Sequence, residues 1–443
     1  MAKKTTTSGW GLYPIVDASV RRAHYRRDLR TDDETSVLPQ GSCRSYGDAC
    51  LHDRVVSTLP LKHLLDFDPE QGVLRAEAGV TIEDLIRFAV PRGFFPPVTP
   101  GTKFPTLGGC IAADVHGKNH HADGSIAAFV EELEMVLADG SQVHCSRHRL
   151  PDLFWATLGG MGLTGFVYAA TLRLKKISSA YIQQRSIKTA NFAETCRIFA
   201  ETQQQCTYSV AWIDSLKKGR QLGRGLILLG EHAPADQIKK KELFPLHAGS
   251  RLDVPFFFPD FALNTWSMRA FNTLYYHHQW SHSSTTTIHY NPYFYPLDMV
   301  HRWNRIYGRK GFLQYQIVVP FADGEEIMAD VLGRIVHRGI PSLLTVLKTL
   351  GPANEGLLSF PIAGYTLALD IPFRNTDIMP FLRELNKSIV DAKGRVYLAK
   401  DAILEKEDFA AMYPKLEEFK RVKRLYDPEH RFRSRQSDRL GIT

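Results

Sequence analysis

PGTKFPTLGGCIAADVHGKNHH, residues 100–121, combines glycines, small hydroxyl residues and histidines in one stretch. Glycine and small hydroxyl residues placed close together allow successive backbone N–H groups to point into one concavity, which holds phosphate groups without a dedicated lysine. Two further segments have this character: QGSCRSYGD, residues 40–48, and GMGLTG, residues 160–165. Three such loops in one region predict a bound group that carries a pyrophosphate.

GMGLTG also matches the dinucleotide fingerprint G-x-G-x-x-G letter for letter. That fingerprint requires a strand before the turn and a helix after it, so that the amino terminus of the helix faces the pyrophosphate. Here DLFWATLGG, which precedes the motif, has helical spacing, and FVYAATLRL, which follows it, is typical of a strand. The inverted order argues against a nicotinamide-type Rossmann domain.

The composition is that of a folded protein with more than one domain. The chain has 443 residues, of which 44% are hydrophobic and 23% charged, and this length favours two or more domains. A formal charge of +8 favours an anionic partner, whereas nucleic acid is the weaker option because zinc-finger spacings, RNP motifs and long basic runs are absent. The six cysteines form no C-x-x-C pair, which argues against a zinc ribbon and a disulfide framework.

The location is predicted from two absences. No apolar run approaches the roughly 18 to 20 residues that span a bilayer, and the amino terminus has no apolar signal core. We therefore expect a cytoplasmic protein, with peripheral contact with the inner face of the cytoplasmic membrane as the finer expectation.

The strand and helix patterns change near residue 178. Residues 36–177 show short strand-like runs, a capping-box helix start at Thr81 and Asp84, and a hairpin signal at Asp139-Gly140 that predicts a type I′ turn. Beyond residue 178, three strand–helix–strand units predict an antiparallel or mixed sheet backed by helices. The expected fold class is α+β, with two domains.

The segment 252–280 is rich in aromatic residues but has no clear period. One interpretation is an irregular lid that packs on the second domain. The other is an exposed apolar surface for a lipid chain or a membrane face.

Four motifs in order carry a family resemblance: GSCRSYGD, PGTKFPTLGG, DVHGKNHH and LFWATLGGMGLTG. They resemble the PCMH-type FAD-binding domain of the vanillyl-alcohol-oxidase flavoproteins. The similarity continues through FLQYQIVVP, VLKTLGP, LSFPIAGY, VYLAKD and AMYPKLEEF, and it is closer to the family of decaprenylphosphoryl-β-D-ribose 2′-epimerase flavin subunits, which oxidise a lipid-linked sugar. The resemblance covers about residues 37 to 440.

The resemblance implies a two-domain PCMH-type fold with noncovalent FAD. It assigns residues 1–177 to the FAD-binding domain, 178–394 to a substrate-binding domain of antiparallel sheet backed by helices, and 395–443 to a segment that returns to the FAD-binding domain. The residues that it implies for FAD are Gly41, Ser42, Cys43, Arg44, Ser45, Tyr46, Gly47, Asp48, Gly101, Thr106, Leu107, Gly108, Gly109, Ala113, Asp114, Val115, His116, Val167 and Tyr397.

The implied reaction is oxidation of the C2 hydroxyl of a polyprenyl-phosphate-linked pentose to a 2-keto sugar, with hydride transfer to flavin N5. A partner NAD(P)H-dependent keto-reductase would then complete an epimerisation. The catalytic residues implied are Lys400 in LAKD, expected to stabilise an oxyanion or the reduced flavin, and His116 as base or flavin-positioning group. Lys118 is implied in catalysis and in substrate binding.

Residue patterns add further candidates for the substrate. Gln314 and Gln316 alternate along a strand, so both point to the same face. Lys348 lies in an apolar run, where an unpaired ammonium is costly, which indicates a pocket position. Two departures from the family, Ala368 for a cysteine and Phe294 for a tyrosine, indicate a remodelled pocket, and we include Phe294 among the expected substrate contacts.

Two other functions compete with this prediction. A soluble aldonolactone or sugar-alcohol oxidase on the same fold would not need the aromatic segment 252–280. A metal-binding or structural module would use His116 and His120, which have the i, i+4 spacing of helical ligands, but Gly117 and Asn119 disfavour a helix and no distant ligand pair completes a tetrahedral set. The sequence therefore predicts no metal.

Overall fold

A computed structural model describes residues 3–31, 36–247, 249, 252–374 and 376–443. Its amino-terminal part contains two sheets. The first has the strand order β1-β2-β4-β3, and the second has the order β5-β6-β10-β8-β9 with all neighbours antiparallel. The strands of the first sheet are β1 (Lys3–Ser8), β2 (Ile15–Arg22), β3 (Leu38–Gln40) and β4 (Arg54–Ser57). Those of the second are β5 (Leu64–Asp68), β6 (Val73–Glu77), β8 (Val130–Val136), β9 (Gln142–Ser146) and β10 (Phe166–Arg173), and a small separate ladder pairs β7 (Phe94–Phe95) with β11 (Lys175–Lys176).

Short helices connect these strands and lie next to the glycine-rich loops. They are α1 (Ile82–Ala89), α2 (Leu107–Ala112), α3 (His120–Asp123) and α4 (Pro151–Thr157). The predicted capping box of α1 is confirmed, since the Thr81 hydroxyl accepts a hydrogen bond from the Asp84 N–H at 3.1 Å. Helix α4 precedes GMGLTG and strand β10 follows it, which confirms the inverted order that excludes a Rossmann turn.

The β8–β9 hairpin is confirmed, but the predicted type I′ turn is wrong. Of its two central residues only Gly140 has a positive φ, at 84°. The Gly140 N–H donates to the Leu137 carbonyl at 3.1 Å, and the Leu137 N–H donates to the Ser141 carbonyl at 2.9 Å. This is a longer connection with glycine in the left-handed position, which needs only one residue of positive φ.

An eight-stranded sheet dominates the second part of the chain. Its order is β16-β12-β14-β13-β19-β20-β18-β21, and every neighbouring pair is antiparallel. The strands are β12 (Tyr181–Thr189), β13 (Tyr208–Ile213), β14 (Gly225–His232), β16 (Ser283–His289), β18 (Phe312–Pro320), β19 (Thr345–Leu350), β20 (Gly364–Pro372) and β21 (Arg395–Val396). Helices α5 (Phe192–Thr202), α8 (Phe321–His337) and α9 (Ile378–Asp391) pack against it in one hydrophobic core.

The three predicted strand–helix–strand units are all present, with one difference. The last strand, β21, has only two residues, because the chain leaves the sheet at Tyr397 and forms a 3-10 turn at Leu398–Lys400. Lys400 is therefore held by a turn and not by a strand end.

The segment 252–280 is not irregular throughout. It contains the short strand β15 (Leu252–Asp253), which pairs with β17 (Val300–His301), and the helix α6 (Thr265–His278), which Asn264 caps; α7 (Tyr290–Phe294) follows. Several of its large apolar side chains face solvent, since Phe261 is 75% exposed, Trp266 79% and Trp280 96%, whereas Leu263 and Met268 are buried. Hydrophobic periodicity does not predict α6, because the apolar residues of this helix do not form a stripe that faces the core.

The carboxy-terminal helices return to the amino-terminal part. They are α10 (Lys406–Met412), α11 (Leu416–Tyr426) and α12 (Arg435–Leu440). The fully buried Lys423 ammonium donates to the Asp427 carboxylate at 2.6 Å, the Phe432 carbonyl at 2.8 Å and the Leu163 carbonyl at 2.9 Å. The GMGLTG turn is thus fastened to the end of the chain.

Among the described residues, no helix combines the length and the apolar composition that crossing a bilayer requires. The domain boundaries at residues 177 and 394 stay predictions.

Candidate active site

One cavity is lined by the three glycine-rich loops and by the eight-stranded sheet. We call its lining residues within 39–50, 100–116 and 161–167 the loop wall. We call those on β18, β19 and β20 and in the turn 397–400 the sheet wall. The sheet wall contains Gln314, Gln316, Val346, Lys348, Ala368, Tyr397, Ala399 and Lys400.

The loop wall brings bare backbone to the cavity. A Cβ atom added at Gly101 would meet no atom within 4 Å, and at Gly109 it would meet only the Thr106 hydroxyl, at 3.1 Å. Both glycines therefore leave open space beside their Cα atoms, which allows a bulky group to approach closely. The same Thr106 hydroxyl accepts from the Gly109 N–H at 3.2 Å and fixes the start of α2.

A buried polar group on the loop wall has no partner within the described chain. Arg44 Nε is buried without a hydrogen bond, while the Arg44 guanidinium lies 4.0 Å from the Trp10 ring and 4.9 Å from the Phe104 ring. Burial is the main cause that lowers the pKa of Arg44. An orphaned guanidinium donor that lines the same cavity as two glycines with open space fits a dinucleotide pyrophosphate, so these residues fit FAD.

Two lysines of the sheet wall lie in a poorly solvated environment. Burial lowers the pKa of Lys400 to about 7, and the nearby Asp370 carboxylate opposes that change. Lys400 Nζ lies 3.9 Å from the centre of the Tyr46 ring and donates no hydrogen bond to any described residue. Burial, with the Lys118 and Lys400 charges, lowers the pKa of Lys348 to about 7. The Lys400 ammonium is therefore available to an anion in the cavity.

His116 links the two walls through its ring nitrogens. Gln316 Nε2 lies 3.0 Å from His116 Nε2, and Lys348 Nζ lies 3.2 Å from His116 Nδ1. Burial is the main cause that lowers the pKa of His116 well below its usual value, so the ring is neutral. If Gln316 donates to Nε2, then Nδ1 carries the proton and donates to Lys348, which requires the neutral amine. In this arrangement the one lone pair of the Lys348 amine accepts the hydrogen bond from His116.

Asp370 is a site residue that the sequence analysis missed. Its fully buried carboxylate accepts from Gln314 Nε2 at 2.6 Å and from the Tyr307 hydroxyl at 3.0 Å, and burial raises its pKa to about 6. It favours the charged form of Lys400. The signal was present in LALDIP, since an acidic residue inside an apolar strand needs partners.

Asp298 was missed as well, because it lies outside the matched motifs. Its carboxylate lines the cavity, accepts from the Thr102 hydroxyl and the Lys103 N–H, each at 2.8 Å, and so ties the PGTK loop to the second part of the chain.

Most of the predicted FAD and substrate residues line this cavity. They are Gly41, Ser42, Cys43, Arg44, Ser45, Tyr46, Gly101, Thr106, Gly108, Gly109, Ala113, Val115, His116, Val167, Tyr397, Gln314, Gln316, Lys348 and Lys400. Gln314 and Gln316 share a face, as alternation predicts, but Gln314 binds Asp370 whereas Gln316 binds His116.

Four residues predicted to bind FAD do not line the cavity in the structure. Asp48 accepts from the Arg439 guanidinium at 2.7 Å and 2.9 Å. Asp114 is fully buried and accepts from Asn354 Nδ2 and the Ala127 N–H. Leu107 is a core residue, and a Cβ at Gly47 would collide with the Asp401 carbonyl. These four residues build the scaffold beneath the loop wall.

Two predicted substrate residues also lie outside the lining. The Phe294 side chain is buried among Phe95, Tyr208 and Tyr293, because the aromatic core fills that space. Lys118 Nζ donates to the Phe294 carbonyl at 3.3 Å, and burial lowers its pKa to about 8. The Lys118 charge is one of the causes that lower the pKa of Lys348.

The remaining histidines of the cluster are used in protein contacts. His120 Nδ1 accepts from the Gly351 N–H at 3.0 Å, and His121 Nε2 lies 3.0 Å from the Cys206 carbonyl. Within the part of the chain that the structure describes, no three His, Cys, Asp or Glu residues are grouped to hold a metal ion.

Comparisons with known proteins support FAD binding, which the residues of the cavity also fit. An FAD binding domain model matches residues 29–146, and a D-arabinono-1,4-lactone oxidase model matches residues 368–440. The chain is 34% identical to decaprenylphosphoryl-β-D-ribose oxidase of Mycolicibacterium smegmatis, over 99% of this chain and 98% of that protein. It is 31% identical to an uncharacterised protein of Streptomyces coelicolor, over 82% of this chain and all of that protein. Human Delta(24)-sterol reductase is 28% identical, over 33% of this chain and 28% of its own length.

Proposed function

The chain belongs to the family of FAD-dependent oxidoreductases that includes decaprenylphosphoryl-β-D-ribose oxidase, and from this premise we propose that it oxidises the C2 hydroxyl of a polyprenyl-phosphate-linked pentose to a 2-keto sugar. The observation that carries the proposal is the pair of poorly solvated lysines, Lys348 and Lys400, on the sheet wall beside a cavity that fits FAD. The cofactor is held without a covalent bond in this proposal.

The residues have separate roles in the oxidation. Bound FAD supplies the hydride acceptor, at its N5 atom. His116 Nδ1–H holds the neutral Lys348 amine in position by a hydrogen bond to its one lone pair. When the substrate hydroxyl displaces that hydrogen bond, the lone pair of Lys348 takes the C2 hydroxyl proton. Of the two roles expected for His116, base or flavin-positioning group, we propose the positioning role and assign the base role to Lys348, because Gln316 occupies one ring nitrogen of His116.

Lys400 supplies positive charge to the reaction. Its ammonium, which Asp370 favours, stabilises the negative charge that develops on the oxidised oxygen or on the reduced cofactor. Lys118 assists by its charge beside Lys348, since a second cation keeps more of Lys348 in the neutral form that accepts a proton.

Flavin reduction under anaerobic conditions tests the substrate. We expect polyprenyl-phosphoryl ribose to bleach the flavin, and its 2-deoxy analogue, which lacks the reacting hydroxyl, to bind without bleaching it. Bleaching by the 2-deoxy analogue would contradict oxidation at C2. Acid precipitation should release the yellow chromophore into the supernatant; a coloured pellet would contradict noncovalent FAD.

A second candidate is a soluble aldonolactone oxidase. The match of residues 368–440 to the lactone oxidase model favours it, but that match covers only the carboxy-terminal part of the chain. Bleaching by free lactones and not by the lipid-linked sugar would favour this candidate and overturn the first.

The exposed aromatic helix α6 and its flanks support contact with a membrane that carries the lipid substrate. Trp266, Phe261 and Trp280 expose apolar area that a water-soluble substrate does not require. We expect the protein to float with anionic lipid vesicles, and the double variant Trp266→Ser/Trp280→Ser to lose this binding. Leu425→Ser, at an exposed leucine on α11, is the matched control. Equal flotation of all three proteins would contradict the membrane contact.

The product defines the expected partner. A 2-keto sugar on a lipid phosphate must be reduced from the opposite face to complete an epimerisation, so we propose a partner NAD(P)H-dependent keto-reductase. The partner is expected to consume the 2-keto product in a coupled assay, and accumulation of that product in its presence would contradict this.

A further inference from the structure

The aromatic ring of Tyr46 lies against the Lys400 ammonium inside the flavin cavity. Lys400 Nζ lies over the face of the Tyr46 ring, 3.9 Å from its centre, and both residues line the cavity. The two segments are also joined through the backbone, since the Tyr46 N–H donates to the Ala399 carbonyl at 2.9 Å. This hydrogen bond keeps the loop that carries Tyr46 beside the turn that carries Lys400.

We propose that Tyr46 is a positioning residue, whose ring face holds the charged Lys400 ammonium by a cation–π interaction and leaves its N–H groups to the negative charge that develops in the cavity. The inference deepens the proposed function and rests on it for the origin of that negative charge. The contact between the ring and the ammonium can be measured without any substrate.

The Tyr46 phenol is not an ionic partner for Lys400. Burial is the main cause that raises the pKa of Tyr46 well above its usual value, so the ring is neutral near neutral pH. A neutral ring attracts a cation through the negative potential of its face, and the attraction is stronger where the cation is poorly solvated. A carboxylate would neutralise the ammonium and accept its N–H groups, whereas the ring leaves the charge in place and the three N–H donors for another partner.

The Tyr46 ring is supported by other buried aromatic residues. It packs edge-to-face on Phe312, with 5.4 Å between the ring centres, and Phe312 stacks on Tyr307 at 4.1 Å. The Tyr307 hydroxyl donates to the Asp370 carboxylate at 3.0 Å, and that carboxylate favours the charged form of Lys400. One series of contacts thus connects the ring and the carboxylate that both favour the Lys400 charge.

The titratable side chains that interact with Lys400, besides Tyr46, are Asp370, Lys348 and His116. His116 is neutral, and Lys348 is neutral in the proposed mechanism, so neither competes with Lys400 as a positive charge. The Tyr46 ring and the Asp370 carboxylate are therefore the groups that oppose the effect of burial on Lys400. Weakening the potential of the ring face should lower the pKa of Lys400 by about 1 unit, as expected for a cation–π contact in a poorly solvated site.

Fluorination tests the interaction without removing the ring. Tyr46 is replaced by phenylalanine and by phenylalanines with one, two or three ring fluorine atoms, because fluorine withdraws negative charge from the ring face and changes the ring shape little. The pH dependence of Lys400 acetylation by acetic anhydride, followed by mass spectrometry on the FAD-loaded enzyme without substrate, reports the pKa of Lys400. We expect its midpoint to fall as fluorine atoms are added, by about 1 pH unit in total. A midpoint that stays constant along the series would overturn the proposal.

The same replacements at Phe199 are the matched control. This residue is fully buried in α5 and does not line the cavity, so the Lys400 midpoint should stay constant. Equal shifts in the two series would overturn the proposal, because they would not come from the face of the Tyr46 ring. Equilibrium dialysis should give one FAD Kd for all the Tyr46 variants, and a Kd that rises with fluorination would assign the ring to the cofactor instead.

The pH dependence of anaerobic flavin reduction connects the contact with the reaction. Along the Tyr46 series, the falling limb of the rate should move to lower pH by the same amount as the acetylation midpoint. A midpoint that moves while the limb stays fixed would overturn the role in the reaction. If polyprenyl-phosphoryl ribose does not bleach the flavin of the unaltered enzyme, the proposed function is wrong, and the acetylation series still decides whether Tyr46 holds Lys400.

Discussion

The two walls of the cavity hold their ligands by different chemistry. The loop wall presents bare backbone at Gly101 and Gly109, and its residues come from short segments with recognisable motifs. The sheet wall presents charged side chains, such as Lys348 and Lys400, which come from segments far apart in the chain. The cofactor side is therefore specified by local sequence, whereas the reacting side exists only after the fold has brought distant residues together.

The largest effect, on the free energy of unfolding, is expected at Lys423, whose ammonium connects the GMGLTG turn of the loop wall to the carboxy-terminal segment. Lys423→Met removes a buried ammonium that Asp427 and two carbonyl groups require. We expect the free energy of unfolding to fall by about 3–5 kcal/mol, since the Asp427 charge remains buried without its partner. Denaturant titration measures this, and Lys420→Met, in an exposed pair with Glu417, should change it by less than about 1 kcal/mol. A similar fall in the free energy of unfolding in both variants would show that the buried Lys423–Asp427 pair contributes no more to stability than the Lys420–Glu417 pair.

The next largest effect concerns the charge on the sheet wall. Lys400→Met should keep the yellow colour and slow anaerobic flavin reduction by about 10²–10³-fold, as loss of one preorganised charge donor does. Stopped-flow absorbance measures the rate. Lys62→Met, at an exposed lysine, is the control with the same chemical change. If colour and rate fall together, Lys400 belongs to cofactor binding and the division between the walls fails.

A third change acts on the loop wall alone. Gly109→Leu places a side chain in space that the backbone leaves open, and overpacking of about 1–3 kcal/mol corresponds to a rise in the FAD Kd of about 5- to 150-fold. Equilibrium dialysis with FAD measures the affinity. Gly333→Leu, on α8 with no atom closer than 3.8 Å to an added Cβ, should leave the Kd unchanged. An unaltered Kd in Gly109→Leu would mean that the loop wall does not contact FAD.

The smallest expected effect is a shift in pH dependence. The reaction requires Lys348 to be neutral and Lys400 to be charged, and the pKa of each lysine is about 7. The rate of flavin reduction should therefore rise with pH as Lys348 loses its proton and fall as Lys400 loses its proton, both near neutral pH. The Asp370 carboxylate raises the pKa of Lys400, and Asp370→Asn should therefore move the falling limb to lower pH by about 1 unit. Asp391→Asn, at an exposed aspartate, is the control. If the falling limb does not move in Asp370→Asn, loss of the Lys400 proton is not the cause of that limb.

More of the loop wall than of the sheet wall could be predicted from the sequence. The glycine loops were predicted because their spacing alone makes a concavity, and the three strand–helix–strand units followed from periodicity. Asp370 and Asp298 were missed because each acquires its role from partners more than 50 residues away or in another loop. Asp48 and Asp114 illustrate the opposite error, since motif membership placed them at FAD whereas their hydrogen bonds support the scaffold.

The segment 252–280 shows a different limit. Periodicity detects helices that bury one face, and α6 exposes Trp266 and Leu274 instead. Similarly, the type I′ turn at Asp139-Gly140 was a reasonable expectation from the dipeptide, but the connection is longer and needs positive φ only at Gly140. Both differences arise because the surrounding structure, and not the local residues, decides the final geometry.

The return of the chain end to the loop wall has a consequence for synthesis in the cell. Tyr397 and Lys400 line the cavity, and Lys423 and Arg439 fasten its scaffold. While these residues are still inside the ribosome, the loops formed first have neither their ammonium partner nor their carboxy-terminal helices. A complete cofactor cavity therefore requires that residues up to Arg439 have been synthesised and have folded back onto the loops, which lack these partners until then.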